Sequence, residues 1–115
     1  MTRARAAVVF ERDGGRCWHC GTGDQLSAHH RLNRGMGGTS AATVHAPPNV
    51  ITMCWPMNSA MEADPAAAET ARRNGWKLER GQDPAAEPVY DAAAGLWYAL
   101  DDDYGRTPTA PPDPR

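Results

Sequence analysis

What the chain lacks narrows it before any motif is considered. No apolar run in its 115 residues approaches the length of a membrane span, and the opening MTRARAAVVFERDGG breaks into charge before a signal-peptide core develops. The expectation is a cytoplasmic protein without membrane contact. Cysteine is too scarce for a closed disulfide framework: Cys17, Cys20 and Cys54 are three, and an odd number cannot all pair within one chain. In a reducing compartment, clustered thiols point to metal more often than to disulfide. There is no internal repeat, and Thr107 to Arg115 holds four prolines and no apolar cluster, so a disordered tail is expected there.

A chain of this size buries only part of its surface and often needs a metal or another staple. The formal charge of -2 hides an uneven distribution. Residues 1–45 carry six arginines against Glu11, Asp13 and Asp24, whereas residues 62–115 carry six cations against eleven carboxylates. A basic front half can face phosphate while an acidic back half faces water; plain solvated surface accounts for the charges equally well.

Local signals give short elements. Thr2 to Arg12 suits a helix ended by Gly14 and Gly15, and Leu26 to His30 suits a strand. Asn33 to Ser40 is turn-rich, Asn49 to Met53 is a compact apolar run, and Met57 to Ala63 forms a helical turn or two closed by Asp64-Pro65. A second helix is expected over Ala66 to Arg73, stopped by Asn74-Gly75. Trp76 to Leu78, Val89 to Tyr90 and Leu96 to Leu100 read as short strands, and the four tryptophans are assigned to packing. The fold class is α+β.

Cys17-Trp18-His19-Cys20 sets two thiolates across a tight knuckle, as tetrahedral zinc requires, and Cys54 offers a third. A symmetrical fourth ligand would fall at Met57, whose neutral thioether binds zinc poorly, so His45 or water is expected to complete a structural Zn²⁺ site. Three small buried apolar residues and no zinc is the other reading. His29-His30, taken alone, is an ordinary surface or core pair. Its interest lies in its place between the knuckle and Asn49, Cys54 and Asn58.

The ordered set RDGGRCWHCG (12–21), AHHRLNRGMGG (28–38) and NVITMC (49–54), followed by Asn58, resembles the HNH endonucleases of the small phage or actinobacterial type. The likeness covers residues 12 to about 62; NGWKLERG (74–81) resembles the tails of such phage proteins more softly. It implies a small ββα-metal domain, treble-clef-like and of the His-Me finger kind, with short C-terminal strands. The chain then divides into an N-terminal helix (1–15), the zinc-knuckle core (16–65), a helix with a strand-rich extension (66–106) and the tail (107–115).

The likeness further implies a metal-dependent DNA endonuclease or nickase serving phage genome processing or packaging, in the host cytoplasm. His29 becomes the first ligand of a catalytic Mg²⁺, Mn²⁺ or Ni²⁺ ion and His30 the general base, suited to that task because imidazole titrates near neutrality. Asn49 holds the histidine loop, or is simply a turn residue after Pro47-Pro48. Asn58 stands where the family has its last histidine and offers only a neutral oxygen. Glu62, four residues on and on the same helical face, either restores charge to the metal or is a solvated helix-end acid beside Asp64. Arg31 and Arg34 are expected to clamp phosphates, or to be ordinary surface arginines. The alternative function is a catalytically degenerate HNH scaffold that binds DNA or a protein partner, such as a packaging or host factor.

Overall fold

A computed structural model describes residues 2–33 and 40–113. The first helix, α1 (Arg3–Arg12), starts where the Thr2 hydroxyl accepts a hydrogen bond from the Arg5 amide at 3.1 Å. Val9 is its buried side chain. At its end the buried Asp13 carboxylate accepts the Thr52 amide at 3.0 Å and the Thr52 hydroxyl at 2.9 Å. Arg12 pairs with that carboxylate at 2.9 Å and also donates to the Pro47 and Val50 carbonyls. One adjacent ion pair therefore fastens the helix to the strand that carries Thr52.

That strand, β2 (Val50–Cys54), pairs antiparallel with β1 (Leu26–His30), with Leu26 opposite Cys54 and His30 opposite Val50. All five residues of β2 are buried, as expected of a short apolar run covered on both faces. Between the two strands lie α2 (Ala41–His45), capped by the Ser40 hydroxyl accepting from Thr43, and a 3-10 turn at Pro47–Asn49. Five residues show no helical period, which is why α2 escapes a reading of the sequence. Residues 34–39 of the turn-rich stretch lie outside the described residues.

The chain turns from β2 directly into α3 (Trp55–Ala63), with Cys54 as its N-cap and Pro56 in the first turn, where a missing amide costs nothing. Asp64 caps α4 (Pro65–Arg73), which packs on α3 and stops at Asn74-Gly75. Both helices begin earlier than the sequence suggested, because the prolines there start the turns they were thought to bound.

A second sheet, β3-β4-β5, is antiparallel throughout: β3 (Val89–Asp91), β4 (Leu96–Leu100) and β5 (Arg106–Thr109). Two expectations are corrected here. The start of the supposed disordered tail is the edge strand β5; Pro108 is tolerated because an edge strand leaves its outward amide position unpaired. Trp76 to Leu78 is no strand, since its backbone serves other partners: the Trp76 carbonyl meets His29, and the Leu78 amide donates to the Arg31 carbonyl at 2.8 Å.

One buried cluster of the core runs from Cys17, Trp18, Ile51, Met53, Cys54, Met57 and Met61 at the front to Ala71, Trp76, Val89 and Leu100 at the back. Trp18 and Trp76 pack as expected, but Trp55 is 57% exposed. No described helix is long and apolar enough to cross a membrane.

Candidate metal centre and histidine site

The knuckle is built by the turn after α1. The Cys17 amide donates to the Thr22 carbonyl at 2.9 Å and the Gly21 amide to the Cys17 carbonyl at 2.9 Å, folding Cys17 to Cys20 into a tight loop over the end of β2. Cys54, the last residue of β2, comes up from below. The Cys17 sulfur accepts the His19 amide at 3.3 Å and the Cys54 amide at 3.2 Å.

Four ligand atoms, from Cys17, His19, Cys20 and Cys54, lie within 4.8 Å of one another. The sulfurs of Cys20 and Cys54 are 3.9 Å apart, where tetrahedral zinc with Zn–S of about 2.3 Å places two sulfurs about 3.8 Å apart. The donor set, three thiols and an imidazole, is that of a structural zinc site. The Thr22 backbone hydrogen bond lowers the Cys20 pKa, whereas burial pushes Cys54 up to about 11. A bound cation would supply the charge that burial denies to Cys54.

The imidazole placed to serve as fourth donor is that of His19, and the expectation of His45 is corrected. His45 lies on α2 with its ring edge-on to His30, centroids 5.4 Å apart. Met57 is buried in the core cluster beside Cys17 and Cys54 and is not one of the four donors. The sequence did hold the signal: an imidazole two residues after one cysteine and next to another, on a tight turn, is already within reach of the ion.

The two adjacent histidines of β1 point to opposite faces of the hairpin, as strand residues must. His30 faces α2. His29 faces α3 and is 5% exposed; its Nε2 donates to the Trp76 carbonyl at 2.7 Å. Burial pulls its pKa below the usual 6.5, opposed by the Trp76 carbonyl, Asn58 and Glu62. Asn58 also donates its amide to the Ser27 hydroxyl at 3.0 Å, and Glu62, on the outer side of α3, meets Lys77 at 3.9 Å. The structure therefore brings Asn58 to His29 and leaves Glu62 near enough to act on it through its charge.

Asn49 is fully buried and ties the segment after the histidines to α2: its oxygen accepts the Leu32 amide at 2.8 Å, and its amide donates to the Leu32 and Val44 carbonyls. Arg31 is a correction. Expected at phosphate, it is 0% exposed, and its guanidinium donates to the carbonyls of Gly75, Pro48, Pro84 and Glu87 at 2.7–2.9 Å. As the next inward-facing residue after His29, it is sunk where the C-terminal extension closes over the hairpin. Arg34 lies outside the described residues.

Comparison of the chain with protein-family models, with curated proteins and with solved structures returned no match.

Proposed function

We propose that this chain is a metal-stapled ββα module of the HNH type that holds DNA without hydrolysing it. Its order of knuckle, hairpin and helix and its motif set support the family part of the reading. The observation that carries the silent part is the enclosure of the His29 ring, 5% exposed between the Trp76 carbonyl at 2.7 Å from Nε2 and Asn58. Nε2 gives its proton to that carbonyl, so only Nδ1 keeps a lone pair, on a ring that Asn58 also hydrogen-bonds. Around it, Asn58 supplies a neutral oxygen in place of the family's imidazole, and Glu62 is paired with Lys77. DNA is favoured as partner by the exposed Arg3, Arg5 and Arg16 on the front of the molecule, which suit backbone contacts that carry no sequence preference.

One observation favours a second reading, the metal-dependent nuclease or nickase of phage genome processing. Of the residues that the HNH likeness names as ligands, His29 and Asn58 meet and Glu62 acts on the His29 ring through its charge, with His30 next on the strand. In that reading a divalent ion polarises the scissile phosphate and His30 takes the proton of the attacking water.

Supercoiled plasmid incubated with the protein and Mg²⁺, Mn²⁺ or Ni²⁺, beside a gel-retardation series in rising salt, separates them. The expected result is retardation that fades with salt and no nicking. Nicking that requires added metal and disappears in His30→Ala establishes the nuclease, whereas no retardation at low salt removes DNA as the partner and leaves a protein.

A further inference from the structure

The four donors of the metal centre are not equally protected. Cys17 is buried, with its sulfur held by the amides of His19 and Cys54 and lying 3.6 Å from the Met53 sulfur. Cys20 is exposed. Cys20 and Cys54 both line an open groove of about 780 Å³, together with His19, Pro56, Met57 and Ala60. Their sulfurs are 3.9 Å apart. Bringing them to the roughly 2.05 Å of a disulfide requires less than 2 Å of movement, with Cys20 on the exposed side of the knuckle.

We propose that Cys20 and Cys54 are a site of reversible oxidative modification, at which a hydroperoxide converts the two metal-ligating thiolates into a disulfide and expels the ion. Cys20, open to the groove, attacks the peroxide oxygen and becomes a sulfenic acid while the other oxygen leaves as water. Cys54 then attacks that sulfur and displaces the second oxygen as water. Two electrons pass from the sulfurs to hydrogen peroxide, and because metal-bound thiolates carry no protons the solvent supplies two: two thiolates, one hydrogen peroxide and two protons give one disulfide and two waters. Cys17 and His19 are left, two donors where zinc asks for four, so the ion departs as a divalent cation. A dithiol reductant reverses the step by exchange at the exposed Cys20 sulfur. The proposal rests on the cysteine geometry and is independent of whether the protein cuts DNA.

The test treats the zinc-loaded full chain with hydrogen peroxide and follows two signals: zinc captured by a chromogenic chelator, and the disulfide mapped by differential alkylation and peptide mass spectrometry. The expected result is a Cys20–Cys54 cross-link that rises in step with zinc release, both undone by dithiothreitol and both absent in Cys20→Ser. Cys17→Ser keeps the reacting pair and is expected to form the same cross-link even if it no longer retains zinc. A Cys17–Cys20 or intermolecular link in its place, or irreversible oxidation of Cys20 without any cross-link, overturns the proposal.

Discussion

At the scale of single residues, the alternation of a strand decides what each side chain at the end of β1 can reach. His29, His30 and Arg31 follow one another, and a linear pattern cannot say which of them a strand turns inward. Once β1 is extended, His29 and Arg31 share the inner face, and the two most buried polar groups of the segment satisfy themselves on backbone carbonyls. That gives His29 a measurable signature. Its burial lowers the folded pKa below the 6.5 of the unfolded chain, so the unfolded state binds the proton more readily. The sign follows: its contribution to stability is intact above about pH 6.5 and is lost as the pH falls from there toward the folded pKa. Urea denaturation at pH 7.5 and at pH 5.5 should show the acid loss in the wild type and a smaller one in His29→Gln, which has no titrating ring. Every other titrating group is common to both proteins, so the difference between the two isolates His29. An equal loss in both would mean that the ring is not held neutral by its surroundings.

Among the elements, those fixed by local chemistry were legible: α1 by its composition and the glycines behind it, β1 by its length and the turn-rich stretch after it, and the stop of α4 by Asn74-Gly75. Those fixed by distant partners were not. The edge strand β5 exists because β4 offers it a partner, and the stretch from Trp76 to Leu78 fails to be a strand because the hairpin claims its backbone. Gly75 joins both kinds of cause. Its φ of +75° is the left-handed turn that ends α4, and a β-carbon there would run into the Pro88 carbonyl. Its own carbonyl accepts from Arg31 at 2.7 Å, so neither side can yield cheaply. Gly75→Ala should therefore cost about 3 kcal/mol, from the unfavourable φ and the collision together, and lower the melting temperature by on the order of 10 °C. Gly81→Ala is the control, because it shares a positive φ but has open space around its added carbon. A similar loss at both positions would assign the effect to φ alone and remove the Pro88 contact from the account.

For the molecule as a whole, the sequence suggested one α+β domain with a zinc-knuckle core at residues 16–65 and a strand-rich extension, and the packing joins the two into one folding unit. The front supplies Trp18, Ile51 and Met53 to the core, but Trp76 and Leu100 from the back complete it. Three long-range contacts cross the same boundary: the Arg31 guanidinium among the extension's carbonyls, His29 on Trp76, and Arg106 stacked 4.2 Å from the Trp18 ring while pairing with Asp91 at 2.7 Å. A front fragment would expose its half of the core and leave the Arg31 donors without their acceptors, each a cost of roughly 1–3 kcal/mol. A metal staple can hold Cys17, Cys20 and Cys54 together, but it cannot replace the apolar surface that Trp76 covers. Residues 1–65 produced alone with zinc should accordingly give a poorly dispersed amide NMR spectrum, whereas the full chain unfolds in a single transition when probed by tryptophan fluorescence and by far-ultraviolet circular dichroism. A well-dispersed fragment spectrum would mean that zinc and the hairpin suffice. The extension would then be an addition to a finished domain, and the closure of His29 and Arg31 by its backbone would be a later covering of a site that once stood open.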